Sequence, residues 1–129
     1  MSSAFEPRDP NYEQRVRESF ARQGLLATFA AELRSIKPGA VEIGVPFAPG
    51  LTQQDEFFHA GVGIAILDSA CGYSALTLMA PGMRVLTVEL KVNLLAPAVG
   101  DYLASTWRGH PSRSKSHSLP GRCLCRLRG

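Results

Sequence analysis

The sequence has few of the features that mark secreted, metal-binding or membrane proteins. Only three of its 129 residues are cysteine, too few for a disulfide framework, and Cys123 and Cys125 lack a second pair at zinc-ligand spacing. The N-terminus has no basic segment followed by an apolar one, and the longest apolar run, residues 57–67, is too short to span a bilayer. We therefore expect a cytoplasmic protein without a metal site or a membrane partner.

The formal net charge of +3 is unevenly distributed. Residues 1–97 contain eight Lys/Arg and ten Asp/Glu, whereas residues 98–129 contain six Lys/Arg and one acid. The basic character belongs to the tail, so it is weak evidence for nucleic-acid binding, and we expect no nucleic-acid partner. A hydrophobic content of 45% in 129 residues fits one packed domain.

Periodicity in the N-terminal half predicts a helix followed by a hairpin. Apolar residues that recur every four positions predict a helix at 10–23. Residues 40–47 alternate between apolar and polar, and the turn signal KPG just before them indicates a hairpin. Residues 26–36 are compatible with a helix, but we interpret them as the partner strand.

The second half predicts a long buried helix and then strands. Residues 58–79 are apolar or small nearly all round, which is typical of a buried helix. Its glycines cost roughly 1 kcal/mol each relative to alanine, which close approach of another backbone would explain. Residues 85–94 alternate without a break and predict a strand, and another strand begins within 97–105. Residues 106–129 show no period and predict a disordered basic tail.

Two consecutive stretches, HAGVGIAILDSACGYSAL and VLTVELKVNLLAPAVGDYL, carry a family pattern. They resemble the hotdog-fold acyl-CoA thioesterases of the PaaI type. That family shows an amide residue, then His-Gly-Gly, a long helix with a carboxylate, and a strand of the form T-V-E-x-K-V-N-x-L-x-P-A-x-G. The resemblance implies an α+β hotdog domain over residues 1–105, with a curved antiparallel sheet wrapped around the helix at 58–79.

The same resemblance implies roles for individual residues. Gln53 would place its amide near the thioester, and His59 would lie beside the thioester carbonyl. Ala60, which replaces the first glycine of the motif, keeps the backbone N–H that serves as oxyanion donor. Asp68 would be the catalytic carboxylate, acting as a base toward water or as a nucleophile.

Two further residues, Gly61 and Thr87, are implied as substrate-binding. The resemblance implies an acyl-CoA substrate and no metal or other cofactor. It favours a thioester hydrolase that produces a carboxylate and free CoA. Two alternatives stay open: a non-catalytic acyl-CoA-binding or regulatory hotdog protein, and an inactive product of a damaged gene.

Helix geometry separates the two main candidate residues. His59 and Asp68 are nine residues apart, which on a helix is about 13.5 Å along the axis and half a turn out of phase. They cannot reach one small reacting group within a single chain. If both act on the same thioester, two helices must pack antiparallel across a two-fold axis. We therefore predict an obligate homodimer or a dimer of dimers, that is, a homotetramer.

The tail departs from the family pattern. Residues 109–125, back-translated with permitted codons and read one base later, give VIRPGRSLTVCRADVFA, which has the strand–turn–strand pattern that the family shows there. We hypothesise that residues from about 105 onward come from a frameshift, so that 106–129 are not native to the fold. The nucleotide sequence decides this hypothesis.

Overall fold

A four-stranded sheet packs against one long helix in this protein. The computed structural model describes residues 5–109 and 121–128, with side chains up to Trp107. The elements in chain order are α1 (Tyr12–Ala21), α2 (Gly24–Thr28), β1 (Glu32–Lys37), β2 (Ala40–Pro46), a 3-10 turn (Pro49–Leu51), α3 (Ala60–Leu76), β3 (Tyr102–Gly109) and β4 (Gly121–Arg128). The strand order is β1-β2-β3-β4, and every neighbouring pair is antiparallel. The α+β hotdog architecture is confirmed.

Residues 24–28 form the helix α2, so the prediction of a strand over the whole of 26–36 is wrong in its first half. Strand β1 begins only at Glu32, which pairs with Gly44. Continuing that register would bring the chain opposite Pro46, which has no N–H to donate. A helical turn satisfies these backbone groups locally, and it buries Leu26 in the core.

The predicted hairpin forms around the KPG turn. Lys37 pairs with Ala40, and Gly39 has a φ of +72°, a conformation that favours glycine. A Cβ at Gly39 would come within 2.6 Å of the Phe5 ring, so any larger residue would also collide there. The hairpin therefore depends on glycine for both its backbone and its packing.

The core lies between α3 and strands β2 and β3. Every second residue of β2 points at the helix, with Val41, Ile43 and Val45 all fully or almost fully buried. Ile66 and Ala70 of α3 are completely buried against them. Full burial of a valine or isoleucine side chain contributes about 1.5–3 kcal/mol, so this alternation is the main force that docks the helix.

Three buried hydroxyls tie α3 to the sheet. Ser74 Oγ accepts the N–H of Val41 at 2.9 Å, and Thr77 Oγ1 accepts the N–H of Gly39 at 2.8 Å. Ser105 Oγ on β3 lies 3.2 Å from the carbonyl oxygen of Ile43 and 3.0 Å from a helix carbonyl. The polar atoms in this core are thus satisfied, and each bond fixes the position of the helix along the sheet.

One face of α3 is only partly covered by the described residues of its own chain. Residues on the side away from the sheet, including Ala65, Asp68 and Gly72, are only half-buried. The sequence predicted that α3 is buried on all sides, but in a single chain this face of the helix is not fully buried. Cys71 on this face is disulfide-bonded. The sequence predicted no disulfide framework, and an odd number of cysteines excludes complete pairing but not a single bond. Among the described residues, no helix is both long and apolar enough to cross a membrane.

The strand predicted at 85–94 is wrong, because residues 83–100 contain no strand. A strand needs a neighbour to satisfy its backbone hydrogen bonds, and this segment pairs with no described strand of its own chain. Most of its alternating apolar side chains therefore stay exposed: Leu86 is 88% and Val88 is 96% accessible, and only Val92 is half-buried. The alternation is present in the sequence, but none of the described strands of the chain pairs with this segment.

The region predicted as an irregular tail contains regular backbone. Strand β3 continues past residue 105 to Gly109, and β4 pairs with it from Tyr102↔Arg128 to Gly109↔Gly121. Residues 110–120 lie outside the described part of the chain. Backbone pairing does not need an apolar period, which explains why the sequence pattern predicted no strand here. The domain boundary at 105 and the foreign origin of 106–129 stay predictions.

Candidate active site

The start of α3 is organised by His59. This residue is the helix N-cap, and its Nδ1 accepts the N–H of Gly61 at 2.8 Å. Its carbonyl oxygen accepts the N–H of Val62 at 3.0 Å. The N–H of Ala60 has no hydrogen-bond partner among the described residues. An unpaired amide at the positive end of a helix dipole is suited to bind a developing negative charge.

A short hydrogen-bonded loop holds Gln53 close to this helix start. The N–H of His59 donates to the carbonyl of Leu51 at 2.9 Å, and the N–H of Gln53 donates to the carbonyl of Phe57 at 2.9 Å. Gln53 is half-buried, and its side-chain oxygen accepts the N–H of Asp55. The loop therefore fixes the backbone of Gln53, while its side-chain oxygen is engaged within the loop.

Asp68 lies further along α3, on the face away from the sheet. Its Oδ1 accepts the hydroxyl of Thr87 at 2.6 Å. This is a short hydrogen bond for a hydroxyl donor and a carboxyl acceptor. The structure thus brings together two residues that the sequence had singled out separately, across nineteen positions.

Four of the six predicted site residues line two separate cavities, whereas Gln53 and Ala60 line neither. One, of about 390 Å³, is lined by residues of α2, the 49–52 turn and the start of α3, among them His59 and Gly61. The other, of about 730 Å³, includes Asp68 and Thr87. The sequence predicted that one chain could not bring His59 and Asp68 to the same small group, and the two cavities agree with that prediction.

The Asp68 cavity is also lined by a cluster of hydrogen-bonded polar side chains that the sequence did not predict. Gln23 Nε2 donates to the hydroxyl of Tyr73 at 2.6 Å, and Ser19 Oγ lies 3.2 Å from the same oxygen. Ser69 Oγ donates to Gln23 Oε1 at 3.3 Å. These residues come from α1, its C-terminal end and α3, which are far apart in the sequence. No local spacing could have indicated that they meet.

No metal centre is evident in the part of the chain whose side chains are described, because no three His, Cys, Asp or Glu residues are grouped to hold an ion. The arrangement instead offers a helix-start amide, a carboxylate with a hydroxyl donor, and two cavities. These are the elements of acid–base and oxyanion chemistry.

Comparison with known proteins adds independent information. A thioesterase family protein from Silicibacter pomeroyi has a similar structure, with 48% sequence identity, a TM-score of 0.75, and coverage of 79% of this chain and 76% of that one. No protein-family model and no curated protein matches the chain.

Two more distant structures share the fold. The E. coli PaaI protein from the phenylacetic acid degradation operon is 15% identical, with a TM-score of 0.69 and coverage of 80% of this chain and 74% of that one. BH2602 from Bacillus halodurans, crystallised with CoA, is 18% identical, with a TM-score of 0.69 and coverage of 91% and 74%. At these identities the likeness is evidence for the fold alone.

Proposed function

This chain belongs to the thioesterase family, with the hotdog fold of PaaI-type proteins, and from that premise we propose that it hydrolyses an acyl-CoA thioester to a free carboxylate and CoA. The observation that carries this proposal is that one helix presents both an open amide, at Ala60, and a carboxylate bonded to a hydroxyl, at Asp68. A structural relative crystallised with CoA supports the choice of thiol.

The roles follow from the chemistry of thioester hydrolysis. Asp68 takes a proton from water, and the water oxygen attacks the carbonyl carbon. The negative charge that forms on the carbonyl oxygen is stabilised by the N–H of Ala60 and by the amide of Gln53. The C–S bond then breaks, and the CoA sulfur leaves with the bonding electrons and takes the proton from Asp68. The carboxylic acid that remains gives its own proton to solvent and becomes a carboxylate.

The site is assembled from two chains in this proposal. His59 and Asp68 line different cavities of one chain, so a single copy does not complete the reaction geometry. The face of α3 that contains Asp68 is only half-buried, which leaves room for the matching helix of a second copy. Antiparallel contact of the two faces would bring Ala60 of one chain toward Asp68 of the other.

The first test is the substitution Asp68→Asn, with CoA release measured by a thiol reagent over a panel of acyl-CoAs. Loss of a general base typically costs about 10²- to 10⁴-fold in rate, so turnover should fall by at least about a hundredfold. Affinity for acyl-CoA, measured by titration calorimetry, should persist because the cavities remain.

Asp101→Asn is the matched control, since Asp101 is exposed and lines neither cavity. Its turnover should equal that of the wild-type chain. A wild-type chain that binds acyl-CoA but releases no CoA would contradict the proposal and favour a non-catalytic binding protein.

A further inference from the structure

The two cavities of the chain differ sharply in chemistry, and so do the two ends of an acyl-CoA. The cavity beside His59 is lined mainly by carbon, from Leu25, Phe29, Leu51, Val62 and Ala65. Thr52 also lines this cavity, but its hydroxyl is already engaged because Oγ1 donates to the carbonyl of Pro49 at 2.7 Å. Such a surface favours an apolar occupant.

The Asp68 cavity has the opposite character. Arg22 and Arg84 line it, both exposed and without an ion pair among the described residues. The rest of the lining is mixed, with hydroxyl and amide groups, two carboxylates and three apolar side chains: Ser19, Gln23, Ser69, Tyr73, Thr87, Glu18, Asp68, Leu76, Met83 and Val85. Guanidinium groups are suited to phosphate oxygens, and the many polar groups of this lining favour an apolar acyl chain less than the cavity beside His59 does. The phosphate-bearing end of a CoA thioester therefore fits this cavity better than the acyl end does.

Resting on the proposed thioesterase function, we propose that the acyl group occupies the cavity beside His59 and that Leu25 and Phe29 of the α2 region determine its length. His59 and Gly61, the two chain neighbours of Ala60, line this cavity, and the thioester carbonyl would be held at the Ala60 amide between them. Its volume of about 390 Å³ lies at the small end of ligand pockets, so the preferred substrate is a compact apolar acyl-CoA of short or medium length.

Leu25 is the residue best suited to tune this cavity. It lines the pocket but remains 56% exposed, so a change of size there should alter the pocket without disturbing the core. Phe29 is half-buried and packs against the core, which makes it the more rigid wall. The α2 region therefore determines which acyl lengths the cavity accepts.

The experiment measures kcat/KM of the full-length chain for straight-chain acyl-CoAs from acetyl to lauroyl. Each methylene that enters the cavity should raise kcat/KM about fourfold, the factor expected from burying one methylene, until the cavity is full. The acyl length at which kcat/KM stops rising is called the break here. Leu25→Trp should move the break to shorter acyl chains, and Leu25→Ala should move it to longer ones.

Ala27→Trp provides the matched control. Ala27 is exposed on the same short helix and does not line the cavity, so its break should coincide with that of the wild-type chain. Hydrolysis with a break that neither Leu25 variant moves would overturn the cavity assignment while leaving the thioesterase proposal intact.

A second readout separates the two proposals. Dissociation constants of the same acyl-CoA series for the Asp68→Asn variant, with and without the Leu25 changes, do not require turnover. A break in affinity that moves with Leu25 supports the assignment even if the wild-type chain releases no CoA, an outcome that would contradict the hydrolase proposal alone. An affinity that is independent of acyl length would overturn the assignment.

Discussion

His59 illustrates how one residue acts through the backbone. By capping α3 it occupies the N–H of Gly61, and it leaves the N–H of Ala60 as the open donor of the first turn. The family motif implied a role for His59 next to the carbonyl, and the structure adds this capping contact. The exchange of glycine for alanine at Ala60 is compatible with that arrangement, since a backbone donor does not depend on the side chain.

Thr87 is the residue whose hydroxyl bonds directly to the candidate base Asp68. Substitution Thr87→Val removes the donor to Asp68 but keeps the shape of the side chain. A hydrogen bond to a charged group contributes about 1.5–3 kcal/mol, so kcat should fall by about tenfold or more if that bond orients the base. Steady-state kinetics across the acyl-CoA panel measure this effect.

Thr87→Ser is the corresponding rescue, because serine keeps the hydroxyl. It should retain most of the wild-type kcat, and circular dichroism should give the same spectrum for both variants. Equal kcat values for Thr87→Val and the wild-type chain would show that Thr87 does not position Asp68.

At the scale of elements, α3 is located by hydroxyl bonds as well as by apolar contact. Its own composition, rich in alanine and glycine, offers few large side chains to fix its position along β2 and β3. Ser74 is therefore important for the position of α3 on the sheet, although its side chain is small. Serine in a helix predicts little by itself, because its hydroxyl can also bond to the preceding turn, and here it does both.

Substitution Ser74→Ala should destabilise the fold by about 1–3 kcal/mol. It removes the acceptor for the N–H of Val41 and leaves that group buried without its partner. Urea unfolding followed by circular dichroism measures the difference in free energy of unfolding. Ser69→Ala on the same helix, which loses only a 3.3 Å contact to Gln23, should change that free energy by less than about 0.5 kcal/mol. Equal values for the two variants would contradict this account.

The segment 83–100 shows how far an element depends on its neighbours. Its alternation is the most regular in the sequence, yet it forms no strand in one chain. Alternation determines which side chains share a face, but a strand forms only where another strand accepts its hydrogen bonds. Because Leu86 and Val88 remain exposed, we expect a second copy of the chain to cover this segment.

At the scale of the whole molecule, the two-chain site makes a quantitative prediction. Asp68→Asn and Gln53→Ala, each inactive alone, should recover activity when they are mixed after unfolding and refolding. A mixed dimer contains one site with both native residues, so random pairing predicts about a quarter of wild-type activity. CoA release and sizing of the mixture measure the outcome.

The same mixture without refolding is the control, because intact dimers should exchange slowly and remain inactive. A refolded mixture with no activity, despite a dimer by sizing, would mean that Gln53 and Asp68 act within one chain. Gln53 lies in the loop that is hydrogen-bonded to His59, and the cavity beside His59 is separate from that of Asp68, which argues against that outcome.

The sequence by itself was sufficient for the family, the hotdog fold and the long helix, and it gave the list of candidate site residues, whose roles stay predictions. These depend on local pattern: alternation in β2, small residues along α3, and a motif at fixed spacing. It also showed that His59 and Asp68 cannot meet in one chain, since helix geometry alone decides the distance.

Only the tertiary structure decided which groups touch. The bond between Thr87 and Asp68, the hydroxyl ties of α3, the helical turn at Leu26, and the absence of a strand at 85–94 all depend on partners distant in the sequence. The physical reason is the same in each case. Burial and hydrogen bonding are satisfied between elements, so their outcome depends on which partner the fold brings within reach, and local sequence does not specify that partner.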